Sequence, residues 1–181
     1  MDADPSPWLP VFPLPLAVVN ALPPQAFVAA FGDVAERSPW VAELAARRRP
    51  YADRAGMVAA FAAALDTIDA AAQIALLNAH PDLAGRAAIA GDIAADSRRE
   101  QAGAGLDRLT AEEFARFTDL NDRYRARFGH PFILAVKGAT KADILAAFAA
   151  RIGNDAATER ATALGEVKRI FRFRIEDRVL S

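Results

Sequence analysis

Cysteine is absent from this chain of 181 residues, and histidine occurs only twice. The lack of cysteine excludes disulfide scaffolds, zinc–thiolate sites and thiol catalysis, and two histidines are too few for a histidine-rich metal site. Neither charge sign is in excess, because 22 Lys and Arg residues stand against 23 Asp and Glu residues. That balance argues against a nucleic-acid partner. With 53% apolar residues, the chain is typical of a folded domain rather than of a disordered one.

The amino-terminal region lacks charge but is rich in proline. No charged residue lies between Pro5 and Gly32, yet seven prolines interrupt that stretch and would break a membrane-spanning helix. Asp2 and Asp4 stand where a secretory signal needs basic residues. We therefore expect no membrane partner and a cytoplasmic protein. Residues 1–15 are predicted to form a Pro-rich arm, followed by one domain over residues 16–181.

Alanine is the residue that predicts the fold class. The chain has 44 alanines against 25 Val, Ile and Thr residues combined, and alanine favours helices as β-branched residues favour strands. Thr110 and Glu113 form a capping-box pattern, Gly129 is placed to end that helix, and Asn154 is the expected cap of the last helix. The sequence predicts an all-α, single-domain bundle of about seven to nine helices.

One short segment does not fit the helical pattern. Residues 131–136 form an apolar run that follows His130 and opens with proline, which is typical of an extended backbone. Without a sheet, its backbone N–H and C=O groups need other partners, and a ligand is one candidate.

Both histidines precede proline, and each has two interpretations. His80 ends a helix, where the helix dipole favours an imidazolium that could donate a proton. It could equally be a partly exposed histidine at a helix end. His130 lies between a capping glycine and the apolar run, and its structural interpretation is the stronger one. A metal site built from His80, Asp82 and His130 is compatible with the spacing.

A polar cluster follows in the Gly-containing region. Ser97, Glu100 and Gln101 have the i, i+3, i+4 spacing that shares one face of a helical turn. A hydroxyl, a carboxylate and an amide there could bind a nitrogen-rich small molecule, although a solvated surface turn gives the same pattern. The last helix carries many basic residues, and one of them could hold a substrate carboxylate or carbonyl.

Taken together, three segments resemble the 2-oxo-4-hydroxy-4-carboxy-5-ureidoimidazoline (OHCU) decarboxylase family. They are Asn78-Ala-His-Pro-Asp-Leu-Ala-Gly85, Ser97-x-x-Glu-Gln-x-Gly-Ala-Gly-Leu106 and Phe128-Gly-His-Pro-Phe-Ile-Leu-Ala-Val-Lys-Gly138. The resemblance runs in order from about residue 18 to the end. It implies an all-helical, dimeric enzyme of urate degradation that needs no cofactor or metal and forms (S)-allantoin from OHCU.

The resemblance also implies a role for each matching residue. His80 would be the catalytic histidine with Glu100 as its catalytic partner, and Pro81 would line the pocket. Substrate would be bound by Ser97, Arg98, Arg99 and Gln101, by main-chain groups of Phe132, Ile133, Leu134, Ala135 and Val136, and by a late arginine. We assign that arginine to Arg174, with Arg160 and Arg172 as alternatives. His130 departs from the family, because an aromatic residue is expected there.

The implied chemistry needs few residues. The scissile carboxylate of OHCU lies on a carbon beside an endocyclic imine, so the electron pair left by carbon dioxide can move into the C=N bond. The enzyme must orient that bond, stabilise the developing charge and control one proton. Two other functions stay open at this point. One is a helical interaction module without chemistry, and the other is a metal-dependent hydrolase using His80, Asp82 and His130.

Overall fold

The computed structural model of the protein describes residues 11–85 and 93–181, and within those ranges the chain is all-α. A 3₁₀ turn, Leu65–Thr67, follows the fourth helix, and the only β-pairing in the described ranges is an isolated bridge between Leu14 and Val179. The nine α-helices in these ranges are α1 Leu16–Ala21, α2 Pro24–Phe31, α3 Trp40–Ala46, α4 Arg54–Ala64, α5 Ala70–Asn78, α6 Ala95–Gly103, α7 Ala111–Phe128, α8 Lys141–Arg151 and α9 Ala156–Arg178. The predicted all-α fold is confirmed.

The helices divide between two compact units. The first runs to Thr67 and takes in Phe171–Ser181, and the second spans Ile68–Ile170. Helix α9 contributes to each, with its last turns in the first unit. All predicted site residues except Arg172 and Arg174 fall in the second unit.

The first unit is built around aromatic side chains. Phe27, Phe31 and Phe61 are fully buried, with 5.0 Å between the ring centroids of Phe27 and Phe31. Residues 1–10 of the predicted arm lie outside the described part of the chain. Of its later residues, Phe12 packs on Phe31, and Leu14 donates its N–H to the Arg178 carbonyl at 2.8 Å.

The second unit has its own apolar core, formed where α7 and α8 meet the segment after α7. Phe132 and Phe148 stack with 3.7 Å between their ring centroids, and Tyr124 meets Phe132 edge-on at 5.1 Å. Leu83 and Ala84 belong to the same cluster. The core therefore holds two segments that the sequence marks as site candidates, the turn after His80 and the run 131–136.

Local capping chemistry explains most helix ends. Thr110 with Glu113 and Thr140 with Asp143 form complete capping boxes at the starts of α7 and α8. Gly129 ends α7 with φ 75°, a left-handed conformation that favours glycine. The expected cap at Asn154 is wrong, because Asp155 accepts the N–H groups of Ala157 and Thr158 at 3.0 and 2.9 Å.

Among the described helices, none combines the length and the apolar character that a bilayer span requires.

Candidate active site

His80 lies just after helix α5, and a hydrogen bond made by its imidazole ring holds the side chain against that helix. The His80 N–H still bonds the Leu77 carbonyl at 3.2 Å, and Pro81 then stops the helix because it has no N–H to donate. Nδ1 lies 3.0 Å from the Leu76 carbonyl, and the residue is only 6% exposed. A carbonyl can only accept, so Nδ1 carries the proton in the neutral ring and the basic lone pair is on Nε2. His80 is thus a buried, oriented imidazole rather than an exposed helix-end residue.

The turn after His80 is fixed by a side chain of α6. Gln101 accepts the Ala84 N–H at 2.9 Å through Oε1, and its amide nitrogen lies 3.5 Å from the Asp82 carbonyl. Ala84 has φ 55°, a left-handed conformation that alanine adopts only at a cost. The turn is therefore held by tertiary hydrogen bonds, and the structure brings Gln101 together with the His80 segment.

The predicted binding residues of helix α6 lie on two faces of that helix. Ser97 and Gln101 are buried and Glu100 is half-buried, as the i, i+3, i+4 spacing predicts. Arg98 and Arg99 lie on the exposed face. The Arg98 guanidinium donates to the Ile93 carbonyl at 3.3 Å, and Arg99 is ion-paired with Asp96. These contacts tie both arginines to the start of their own helix, and their substrate contacts remain predictions.

The run 131–136 is neither helix nor strand, as expected. Its backbone partners, however, include side chains of the protein. Arg151 donates to the Ile133 carbonyl at 2.7 Å, and the Ala135 N–H donates to Glu166 at 2.9 Å. The ligand that the sequence offered as a partner is therefore not required at the Ala135 N–H. Main-chain contacts from Phe132, Leu134 and Val136 to substrate remain predictions.

A buried charged network supports this run. Glu159 is completely buried and accepts hydrogen bonds from Tyr124, from Arg151 Nε at 2.9 Å and from Asn154 at 2.7 Å. Burial, reinforced by the hydrogen bond to Glu159, raises the pKa of Tyr124, which stays protonated. The Arg151 guanidinium also lies 4.4 Å from the Phe132 ring centroid. The network joins α7, α8 and α9 to the extended run.

His130 behaves as an aromatic residue of the core. It is 1% exposed and stacks on Phe128, and its Nδ1 lies 2.9 Å from the Pro131 carbonyl. Burial lowers the pKa of His130, so the ring is neutral and Nδ1 donates. The position where the resemblance leads us to expect an aromatic residue is therefore filled by a histidine that packs like one.

The hypothetical metal site is not assembled by the described residues. Asp82 is ion-paired with Arg125 at 2.9 Å, and His130 directs Nδ1 to its own chain. Across residues 11–85 and 93–181, no three His, Cys, Asp or Glu side chains gather as ligands. The described residues thus give the metal-dependent hydrolase no donor set.

The late arginines fall in different surroundings. Arg174, in the first unit, is 3% exposed, with its guanidinium 3.4 Å from Glu36 and 3.3 Å from the Asp33 carbonyl. Arg172 is exposed and lies 3.7 Å from Glu176. Arg160 is half-buried. Arg174 therefore has a structural role in the first unit, and its substrate role remains a prediction.

Two clefts are lined by residues of the first unit, and Arg172 is the one predicted residue that lines either of them. One, of about 540 Å³, is lined by residues of α2 and α3 with Arg47 and Arg49. The other, of about 370 Å³, is lined by Arg54, Arg172 and Ser181 among others.

Sequence reasoning missed the residues that hold the two candidate segments. They are Asn121, Tyr124, Arg125, Arg151, Glu159 and Glu166. A signal existed for the first of them, because Asn121 falls between Phe117 and Tyr124 on the buried stripe of α7. A polar residue at an otherwise apolar position indicates a specific hydrogen-bond partner.

The chain is similar to known proteins along nearly its whole length. A family model described as OHCU decarboxylase matches residues 20–176. The 2-oxo-4-hydroxy-4-carboxy-5-ureidoimidazoline decarboxylase of Amia calva is 41% identical over 159 residues, which cover 88% of this chain and 91% of the relative. The enzyme of the same name from Haloferax volcanii is 40% identical over 168 residues, with 93% and 98% covered. A crystal structure of (S)-allantoin synthase superposes with a TM-score of 0.72 at 29% identity, over 90% of this chain and 53% of that one.

Proposed function

The chain belongs to the OHCU decarboxylase family, and on that premise we propose that it decarboxylates OHCU to (S)-allantoin in urate degradation. One observation carries the proposal. His80 lies in the family's His-Pro turn as a buried imidazole, and the Leu76 carbonyl fixes its Nδ1. The proton-exchanging nitrogen is thus Nε2, and its orientation is set before substrate binds.

The reaction supplies its own electron sink. As the C–C bond to the carboxylate breaks, its electron pair forms a C=C bond, and the pair of the neighbouring imine moves onto nitrogen, which takes a proton. The resulting enol loses its hydroxyl proton, and the ureido-bearing carbon gains a proton on one face. Carbon dioxide leaves, and the product is chiral allantoin. The protein need not provide a carbanion-stabilising cofactor.

Catalysis then depends on orientation and on one controlled proton. We assign His80 to proton transfer, a role worth typically ~10²–10⁴-fold in rate. Glu100, half-buried on α6, would be the catalytic partner of His80. It would accept hydrogen bonds from N–H groups of the ureido substituent or of the ring. Ser97 lies one helical turn before it on the buried side of α6. Pro81 would form the wall next to the imidazole.

Binding of the remaining substrate edge is assigned to α6 and to the extended run. Gln101 already accepts the Ala84 N–H, and a carbonyl oxygen has a second lone pair for a substrate N–H. The run Phe132–Val136 would contribute backbone groups, and Arg98 and Arg99 would contribute positive charge for the carboxylate.

A coupled assay tests the proposal. Urate is oxidised enzymatically, the hydrolase for 5-hydroxyisourate is added, and the optical activity of allantoin is followed with and without this protein. Spontaneous decay of OHCU yields racemic allantoin. Faster formation of the (S) enantiomer is the expected result, and an unchanged rate with racemic product from folded protein would exclude the activity.

We also propose a cytoplasmic homodimer, as the family resemblance implies. Light scattering gives the mass directly, with twice the 19.4 kDa of one chain expected. A monomer mass at assay concentration would contradict the dimer without touching the proposed activity.

A further inference from the structure

We propose that Asn121 and Arg125, on one face of helix α7, are positioning residues that fix the catalytic turn His80–Gly85. The proposal rests on the proposed function, because the turn matters only if His80 and Pro81 act on substrate. Neither residue belongs to the three motifs that resemble the family, residues 78–85, 97–106 and 128–138.

Asn121 holds the middle of the turn. Its side-chain amide donates to the Leu83 carbonyl at 2.8 Å, and the residue is 5% exposed. It lies four residues after the buried Phe117 and three before the buried Tyr124, so its amide is enclosed by the core of the second unit. A buried hydrogen bond to a backbone carbonyl fixes the chain there, because no water competes for it.

Arg125 holds the turn on either side of His80. Its guanidinium lies 2.9 Å from the Asp82 carboxylate and 3.4 Å from the Asn78 side-chain oxygen. These partners stand two residues after and two residues before the histidine. Asn78 in turn donates to the Gly129 carbonyl at 3.0 Å, just beyond the end of α7. The chain that carries His80 is therefore tied to α7 at both ends.

The turn needs such ties, since its conformation is not locally preferred. Ala84 lies in the left-handed region at φ 55°, and its N–H donates to the side-chain oxygen of Gln101 in α6 at 2.9 Å. Asn121 bonds Leu83 and Arg125 pairs with Asp82, in addition to the bond between Gln101 and Ala84. The three consecutive residues 82–84 are therefore each held by a side chain of another helix. A displacement of about 1 Å at a reacting group can lower a rate by about a hundredfold.

Helix α7 supplies a matched control. Arg123 stands two residues before Arg125, but it is exposed and pairs with Asp119 in solvent at 3.3 Å. Asn121→Asp keeps the shape of the side chain and removes its donating NH₂ group when ionised. Within the described residues no donor reaches Asn121 Oδ1, so the hydrogen bond to Leu83 is the one described bond of this side chain that the substitution removes.

The test compares N121D, R125A, R125K and R123A with the wild type in the allantoin assay, at a temperature well below the melting midpoint of each variant. We expect kcat to fall at least about tenfold in N121D and R125A, with KM changed less than about threefold, and R123A to match the wild type. R125K keeps the charge and should recover part of the loss. After the racemic product of spontaneous decay has been subtracted, the (S) excess of the catalysed product should fall in N121D and R125A, which a smaller folded fraction cannot cause.

Hydrogen exchange of the amides of residues 82–85 gives a readout independent of turnover. Faster exchange is expected in N121D and R125A but not in R123A. Unchanged exchange, or faster exchange with wild-type kcat and enantiomeric excess, would overturn the positioning role and leave the proposed function intact. A wild-type protein without stereoselective activity would overturn the proposed function before any variant is compared.

Discussion

Arg125 and Asp82 form an ion pair across 43 residues of sequence, with 2.9 Å between guanidinium nitrogen and carboxylate oxygen. The pair links helix α7 to the residue two places after His80. It gives Asp82 of the His-Pro-Asp motif a partner other than a metal ion. Both side chains keep some solvent exposure, at 41% and 30%, so the pair contributes more to geometry than to stability.

Replacing His80 with alanine should abolish most of the turnover. We expect kcat to fall by about two orders of magnitude or more, because proton transfer by an oriented imidazole is lost. The coupled allantoin assay measures the loss, and far-ultraviolet circular dichroism should show unchanged helix content. His130→Phe is the control and should stay active, since His130 packs among aromatic rings. A folded but inactive H130F protein would mean that the wrong histidine has been assigned.

Glu100→Gln should lower turnover to a similar extent. The variant keeps the size of the side chain but removes the negative charge that would accept hydrogen bonds from substrate N–H groups. About a hundredfold loss in kcat/KM is expected in steady-state kinetics. The control is Glu112→Gln, an exposed carboxylate in the first turn of α7, which should match the wild type. Normal kinetics for E100Q would remove Glu100 from the mechanism.

Glu159→Gln should destabilise the fold strongly. The substitution removes the fully buried carboxylate that pairs with Arg151, and the Arg151 charge is left uncompensated. An uncompensated buried charge costs about 3–5 kcal/mol. Urea unfolding followed by circular dichroism gives the free energy of unfolding. Arg123→Ala, which breaks only the solvent-exposed pair with Asp119, should change it by no more than about 0.5 kcal/mol. Equal effects of the two substitutions would contradict a structural role for the buried network.

Gly129→Ala should destabilise the protein by about 1 kcal/mol, because alanine in the left-handed conformation brings Cβ close to the following carbonyl. Gly129 has φ 75°, and a Cβ added there meets nothing within 4 Å, so the cost is purely backbone. Gly153→Ala also meets nothing within 4 Å but has no positive φ, and it serves as the matched control. Thermal melts of both variants give the comparison. The prediction fails if G153A costs as much as G129A.

The stability of the wild type should decrease as the pH falls below about 6.5. Burial lowers the pKa of His130 in the folded state, whereas the unfolded chain has the ordinary value of 6.5. Between the two values the unfolded state binds the extra proton, so acid favours unfolding, and the effect is absent at higher pH. Melting temperatures from pH 5 to 8 test this. H130F should have a flatter profile, and an identical slope in both proteins would assign the effect to other groups.

The parts of the fold that depend on neighbouring residues could be predicted from the sequence. The capping boxes at Thr110 and Thr140 and the glycine end of α7 rest on contacts within three or four residues. The last helix shows the limit of such reasoning. Asn154 and Asp155 are adjacent and both are good caps, but Asn154 is drawn to Glu159, and Asp155 takes the backbone N–H groups.

The supports of the candidate site could not be predicted in the same way. Arg151 reaches the Ile133 carbonyl across 18 residues, and Glu166 reaches the Ala135 N–H across 31. No spacing rule encodes such pairs, because they depend on how helices pack. The sequence indicates that the extended run needs partners outside a sheet, but it does not reveal that side chains supply them.

The anchoring of the run 131–136 by Arg151 and Glu166 has a consequence for substrate range. Backbone held in this way keeps its path when the half-buried Leu134 side chain changes, since both anchors bond backbone atoms of the neighbouring residues Ile133 and Ala135. The surface of the proposed binding run can therefore vary at position 134 without loss of fold. Directed evolution toward other ureido-substituted heterocycles would accordingly start at position 134 and leave Arg151 and Glu166 untouched.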